Sequence, residues 1–94
     1  MGNSMHELPE AVRAYQKTQV YTDKTTPGMM KNDHRVRTGV WAKLVVQKGE
    51  VVFEIPERNE AITVTADRPA IIEPVVMHRI LPQAGARFYL EYYR

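Results

Sequence analysis

The sequence predicts one all-β domain, arranged as a small barrel or a sandwich. Segments rich in valine, isoleucine, threonine and tyrosine recur along the 94 residues, and most of them alternate apolar with polar positions. Turn-forming prolines and glycines separate these segments, so that about six to eight short strands follow one another. A chain of this length closes a single core. We therefore expect one domain over residues 1–94, with residues 1–8 as an N-terminal arm.

Composition excludes several classes of protein. Charged residues make up 26% and apolar residues 44% of the chain, as in ordinary globular domains. No apolar run approaches the roughly 20 residues that span a bilayer, and the polar start of the chain lacks a signal-peptide core. We therefore expect a cytoplasmic protein without a membrane partner. The chain has 0 cysteines, which excludes disulfides and thiolate chemistry, and its net charge of +2 argues against a nucleic-acid partner.

The first part of the chain predicts few regular elements. Residues 10–16 suit either one helical turn after a proline or a short strand. Residues 18–26 are rich in threonine, valine and tyrosine, which favour a strand. A Pro-Gly turn follows at 27–28, and residues 31–37 are polar and basic, as expected for a loop or an exposed edge.

The clearest predicted hairpin joins residues 40–46 to residues 51–55 through a turn at Gly49. In this register one face of both strands is apolar, and Lys43 lies opposite Glu54 on the other face. The predicted inward residues are Ala42, Leu44, Val46, Val51, Phe53 and Ile55. The agreement of both faces supports the register.

Four further segments complete the predicted strands. Residues 61–65 alternate apolar and polar side chains, and residues 70–72 form a short apolar strand that Pro74 interrupts. Residues 77–81 and 87–93 are predicted to pair as the last hairpin.

The last hairpin carries the candidate chemistry. If Pro82 pairs with Arg87, His78 falls opposite Glu91 on one face of the hairpin. A buried carboxylate needs a partner, and His78 supplies one. Two interpretations stay open, namely a metal-ligating or acid–base pair and a structural ion pair without a metal.

Motifs spread over the chain carry a family resemblance. They are Thr26-Pro27-Gly28, His34, Gly39-Val40-Trp41, Val45–Gly49, Ile72–Arg79 and Arg87–Arg94. In this order they resemble the small cupins of the TehB/YeaR-like family, which includes the domain attached to some tellurite-resistance methyltransferases. The resemblance implies a cupin β-barrel, that is, a double-stranded β-helix or jelly roll of mostly antiparallel strands. It also implies binding of a metal ion or small molecule in the barrel, linked to tellurite, oxyanion or another stress response.

The sequence departs from the usual motif of a metal-binding cupin. That motif has two histidines one residue apart and then a glutamate, ahead of the glycine that Gly49 resembles. The two histidine positions fall within residues 35–38 and the glutamate position near Ala42, and none of these residues ligates a metal in the usual way. The full four-ligand site is therefore not expected.

A reduced site is the remaining metal hypothesis. His34 lies one place from a histidine position of the family, and His78 resembles the histidine of the second cupin motif. With Glu91 they would form a site of two histidines and one carboxylate for one divalent ion, Zn, Fe, Mn or Ni. The alternative is a non-catalytic dimeric binding or assembly module in which His78 and Glu91 form a structural pair. The sequence leaves enzymatic activity open.

Two surface features predict partners. Arg35 and Arg37, with Trp41 nearby, suit the binding of an anion or another small-molecule ligand, although a solvated basic rim is the commoner explanation. The last strand carries aromatic residues on both faces. One of those faces needs a cover, and a homodimer interface supplies it.

Overall fold

The computed structural model describes residues 7–94 and contains two antiparallel β-sheets. The five-stranded sheet consists of β1 (Ala14–Lys17), β2 (Tyr21–Thr22), β3 (Trp41–Lys48), β6 (Ala70–Ile72) and β8 (Arg87–Tyr93). The three-stranded sheet consists of β4 (Val51–Ile55), β5 (Glu60–Val64) and β7 (Arg79–Pro82). A short helix, α1 (Gly28–Lys31), and one 3-10 turn (Pro56–Arg58) lie between strands. The predicted all-β class is confirmed.

Strand order differs from chain order in both sheets. The larger sheet runs β1-β8-β3-β6, with β2 also pairing with β8, and the smaller sheet runs β5-β4-β7. All of these pairs are antiparallel. The last strand in the chain therefore lies inside the larger sheet, between β1 and β3.

The predicted hairpin of residues 40–55 is wrong. β3 lies between β8 and β6, whereas β4 lies between β5 and β7 in the other sheet. The chain crosses between the sheets at Gly49, whose φ of +74° favours glycine. A Cβ at this position would lie 3.1 Å from the Cα of Ala86. Glycine is therefore needed because the chain crosses between the sheets here and passes close to the Ala86 backbone, and not because it forms a hairpin turn.

The predicted apolar face of these two strands is confirmed. All of its members are buried, namely Ala42, Leu44, Val46, Val51, Phe53 and Ile55. The outward residues Lys43 and Glu54 do not pair with each other, because Lys43 lies opposite Glu91 and Glu54 contacts Arg79 at 3.3 Å. An alternating apolar pattern requires only that one face of each strand is buried in the core. Two strands meet this requirement equally well in facing sheets and in one hairpin.

The predicted last hairpin is also wrong. β7 pairs with β4 and β8 pairs with β3, so the loop between β7 and β8 is a second crossing between the sheets. This loop lies beside the first crossing, because the Gln83 amide donates a hydrogen bond to the Glu50 carbonyl at 3.0 Å. Pro82 consequently lies opposite Val51 of β4, and not opposite Arg87.

The N-terminal elements are short. Residues 14–17 form a strand, which was one of the two expectations for this segment, and the strand within residues 18–26 is limited to Tyr21–Thr22. Residues 1–6 of the predicted arm lie outside the described residues. Over residues 7–94, no helix is long and apolar enough to cross a membrane.

The core lies between the two sheets. Its fully buried side chains include Phe88, Leu44, Ile72, Ile80, Val51 and Val64. Within the described part of the chain, the buried polar residues are Thr26 and His78. The Thr26 hydroxyl donates a hydrogen bond to the Thr22 carbonyl at 2.6 Å. Of the two buried polar residues, His78 is the ionisable one. The interior therefore presents a histidine as its titratable group.

Candidate functional site

The backbone of His78 is held to a distant loop. The His78 amide donates to the His34 carbonyl at 2.8 Å, and the His34 amide donates to the His78 carbonyl at 3.0 Å. A third bond joins the same two segments, since the Val75 amide donates to the Val36 carbonyl at 2.8 Å. These bonds bring together two histidines that lie far apart in the sequence.

The His78 ring has one satisfied nitrogen and one unsatisfied nitrogen. Its Nδ1 lies 3.0 Å from the Val76 carbonyl oxygen. Because a carbonyl oxygen only accepts, this bond requires the proton on Nδ1, which leaves a lone pair on Nε2. Nε2 is buried and has no hydrogen-bond partner among the described residues, and His78 as a whole is 1% exposed. The interior therefore contains an unused acceptor nitrogen.

Burial sets the protonation state of this imidazole. Removal from water disfavours the imidazolium and lowers the pKa of His78 from its ordinary value of 6.5. The bond to the Val76 carbonyl opposes this shift, and the charge of the neighbouring His34 adds to it. At neutral pH His78 is uncharged, which is the form that ligates metals.

His34 approaches His78 from the loop that follows α1. The two ring centres are 5.4 Å apart and the ring planes cross at 84°. Two imidazoles that share one metal at bonds of about 2.1 Å have ring centres roughly 4.5–5.5 Å apart. The observed separation lies within this range, and it is also that of an edge-to-face ring contact. Phe53 packs against His78 with its ring centre at 5.5 Å, so His78 also has an apolar neighbour.

A small cavity adjoins His78 between the sheets. Its wall is mainly apolar and is formed by Phe53, Ile55, Ile62, Ala70, Ile71, Ile72 and Val76, with Arg58, Glu73 and His78 as polar members. About 20 Å³ of this cavity is open to a water-sized ligand. A single water molecule needs roughly 10–15 Å³ by this measure. The cavity admits an ion or one small group, and not a ligand the size of a drug or a nucleotide.

An ion pair accounts for the charge at this cavity. The Arg58 guanidinium donates two hydrogen bonds to the Glu73 carboxylate, each of 3.2 Å. The bond to Glu73 raises the pKa of Arg58, which stabilises the charged form of the guanidinium. The pair neutralises itself, and His78 remains the polar group there with an unused lone pair.

Glu91 lies away from both histidines. It is on the outer face of the larger sheet, opposite Lys43 of β3 and Lys17 of β1. Its carboxylate accepts a hydrogen bond from the Tyr93 hydroxyl at 2.7 Å. Burial and then this bond raise the pKa of Tyr93 to about 12. The structure thus brings the two predicted histidines together without Glu91, and residues 7–94 hold no cluster of three side chains suited to a metal.

Sequence comparison assigns the chain to a family. The family model of the TehB-like domain matches residues 16–90. The chain belongs to the TehB-like family. No curated protein matches the sequence of this TehB-like domain significantly.

Solved structures with the same architecture include two bacterial proteins. TehB from Haemophilus influenzae is 26% identical, with a TM-score of 0.79 over 89% of this chain. The TehB-like domain described here spans 32% of the length of that protein. A protein from E. coli strain K12 shares the fold, with a TM-score of 0.83, 19% identity, and coverage of 94% of this chain and 95% of its own.

The residues predicted to bind an anion are divided between two places in the TehB-like domain. Arg35 and Arg37 line a surface groove together with His34. Trp41 is not part of this groove and lies opposite Tyr93 on the outer face of the larger sheet. The structure therefore links the two arginines to His34, and not to the tryptophan.

Sequence reasoning missed the groups that surround His78. Val76 precedes it by two residues, but a bond from a ring to a nearby carbonyl leaves no pattern in side-chain type. Arg58 and Glu73 have opposite charges and are 15 residues apart, a separation that matches neither helical nor strand periodicity. Their pairing depends on how β4, β5 and β6 are arranged in the two sheets.

Proposed function

We propose that this TehB-like domain binds one divalent transition-metal ion through His78 and His34. The observation that carries the proposal is the buried, unpartnered Nε2 of His78. An acceptor left unpaired in the interior costs about 1–3 kcal/mol, and a bound ion removes that cost. The bond between Nδ1 and the Val76 carbonyl supports the same function, because histidines that ligate metals commonly donate their other N–H to a backbone carbonyl.

The donor set defines the class of ion. Imidazole nitrogens suit Zn, Fe and Ni, and Mn is the weaker candidate because it prefers oxygen ligands. Two protein ligands leave open positions for water or an external ligand, as in sites that bind or activate small molecules. Glu91 has no part in this site, since it lies on the outer face of the larger sheet. The proposal is a binding function and assigns no reaction.

The architecture and cellular role belong to the same proposal. Two facing antiparallel sheets, with eight strands among the described residues, support a cupin-type jelly roll. Membership of the TehB-like family, together with the resemblance to domains of tellurite-resistance methyltransferases, supports a cytoplasmic role in a tellurite, oxyanion or other stress response.

Metal titration tests the proposal directly. Calorimetry of the metal-free protein with Zn²⁺ or Ni²⁺ is expected to give one site per chain. His78→Gln and His34→Gln are each expected to weaken this binding by about tenfold or more, since each removes one of two protein ligands. Glu91→Gln is the matched control and is expected to change the affinity by less than about twofold.

Two results would overturn the metal function. One is the absence of saturable binding to the wild-type protein. The other is full affinity in His78→Gln with circular dichroism unchanged, which would assign the ion to a site without His78.

A second candidate is a dimeric assembly module without a metal, and the outer face of the larger sheet favours it. This outer face carries half-buried apolar and aromatic side chains, namely Trp41, Val45, Ile71, Tyr89 and Tyr93. Lys17, Lys43 and Glu91 lie among them, so a two-fold axis lets Glu91 of one copy meet a lysine of the other. The His78–Glu91 pair expected for this module is not formed.

Light scattering separates this candidate from the first. A homodimer at tens of micromolar is expected, and Tyr89→Glu is expected to shift it to monomer because a carboxylate would be buried at the interface. Met29→Glu, at an exposed position of α1 beside the smaller sheet, serves as the control. A wild-type monomer at that concentration would contradict the candidate.

A further inference from the structure

The groove beside His34 collects positive charge. Arg35 and Arg37 line it together with His34, and Tyr15 and Tyr92 form its aromatic side. Its lining residues include no aspartate or glutamate. A concave surface lined by one sign of charge focuses the potential and attracts the opposite charge.

Arg35 and Arg37 lack the ion pairs that Arg58 and Arg79 make. Arg58 is paired with Glu73 at 3.2 Å, and Arg79 with Asp33 at 2.7 Å. Within residues 7–94, Arg35 and Arg37 make no ion pair and no side-chain hydrogen bond. Arg35 and Arg37 are exposed and flank the buried Val36 in the sequence, so the N–H donors of both guanidinium groups remain available.

The aromatic side of the groove supplies further polar and cationic groups. Burial raises the pKa of the half-buried Tyr92, so its hydroxyl keeps its proton and can donate. The Arg94 guanidinium lies over the Tyr15 ring at 4.0 Å, which adds a third arginine close to the groove. The groove thus combines cations and neutral donors without a competing carboxylate among its lining residues.

We propose that this groove binds a small oxyanion, held by Arg35 and Arg37. The open space is about 250 Å³, which is below the roughly 300–1,000 Å³ of typical organic-ligand sites. Planar guanidinium groups match the oxygen geometry of phosphate-like and carboxylate groups and bind them with two parallel hydrogen bonds. Inorganic oxyanions and small monophosphate esters share this chemistry. The groove and the proposed metal site share His34 and no other residue.

Amide chemical shifts of the isotope-labelled full chain test this site. Inorganic phosphate, sulfate and tellurite probe the inorganic source, and phenyl phosphate probes the ester. Saturable shifts are expected at residues 34–37 and Tyr92. If phenyl phosphate binds more than about tenfold more tightly than inorganic phosphate, the preferred ligand is the ester. If inorganic phosphate binds more than about tenfold more tightly, the preferred ligand is the inorganic anion. Either result supports the groove.

Matched variants separate this groove from general surface charge. Arg35→Gln with Arg37→Gln is expected to weaken anion binding by about a hundredfold, roughly tenfold for each arginine. Arg68→Gln with Arg87→Gln removes the same charge at two exposed positions outside the groove and is expected to change the affinity by less than about threefold.

Three outcomes would overturn the proposal. They are the absence of saturable shifts at low ionic strength, equal weakening in both double variants, and binding of a single-stranded oligonucleotide through Arg35 and Arg37 far above that of phosphate. The His78→Gln variant keeps this test independent of the metal function, because it is expected to weaken metal binding by about tenfold or more while it retains anion binding.

Discussion

His78 and Glu91 show how differently this fold treats an ionisable side chain inside and outside its core. His78 is 1% exposed, is held neutral by burial, and has an apolar wall that includes Phe53. Glu91 is half-buried on the outer face of the larger sheet, with two lysines opposite and a tyrosine hydroxyl at 2.7 Å. The ring of His78 has a nitrogen without a hydrogen-bond partner, whereas the Glu91 carboxylate has a hydrogen-bond partner in Tyr93 and lies across from two lysines.

This difference indicates where function and stability reside. A buried nitrogen without a partner is costly, and this cost is the basis of the proposed metal site. A half-exposed carboxylate with one hydrogen-bond partner contributes little to stability. Three measurements on the folded protein can break or sharpen the contrast.

The largest expected effect comes from the two faces of β8. Leu90 is 2% exposed, and Leu90→Ala is expected to lower the free energy of unfolding by about 2–5 kcal/mol, because it leaves a void between the sheets. The adjacent Glu91→Ala is expected to cost less than about 1 kcal/mol. Urea denaturation midpoints measure both, and equal losses would contradict the assignment of the two faces.

The pH dependence of stability is expected to carry the signature of His78. Its pKa is lowered in the folded protein, so between pH 6.5 and that lowered pKa the unfolded chain binds more protons. Stability is then expected to be complete above pH 6.5 and to fall as the pH drops, by at most about 1.4 kcal/mol per pH unit. The loss levels off below the folded pKa.

His78→Gln isolates this contribution from that of the carboxylates. Denaturation of wild type and variant is compared at about pH 7.5 and pH 5. The wild type is expected to lose more stability than the variant over this interval. An identical loss in both proteins would show that His78 is not the buried group that titrates.

The smallest expected effect concerns the cross-strand pair of Lys43 and Glu91. A double-mutant cycle with Lys43→Gln and Glu91→Gln is expected to give a coupling of about 0.2–1 kcal/mol, which decreases with added salt. A coupling of several kcal/mol would show that Glu91 is buried in an interface and would strengthen the dimer hypothesis.

The sequence predicted which face of a strand points inward better than it predicted which strands pair. Alternation identified the apolar faces of β3 and β4 correctly, from Ala42 to Ile55. It did not distinguish a hairpin from a crossing, because an apolar face is buried equally well by the facing sheet. Gly49 misled the prediction, since a positive φ serves both kinds of connection.

The candidate site was also predicted only in part, because one of its residues depended on which strands pair. The structure places His78 in the interior and His34 beside it, and the family resemblance had indicated both residues. Glu91 was added by counting positions across a hairpin that does not exist, and an error in pairing moves a residue to the other face. The grouping of Arg35 with Tyr92 depends on contacts between β8 and a loop that no local pattern encodes.

The position of β8 also constrains how the polypeptide acquires its shape. β4 and β5 are neighbours in the chain and pair locally, from Val51 opposite Val64 to Ile55 opposite Glu60. β1, in contrast, pairs with the last strand, as does the edge of β3 that β6 leaves free, and Arg13 and Arg94 exchange two backbone hydrogen bonds of 3.0 and 3.1 Å. Until a ribosome has released residues 87–93, the earlier strands keep open edges that can join other nascent chains. Assembly of the larger sheet is therefore the slow, non-local step, and it is the stage at which a chaperone would protect this polypeptide.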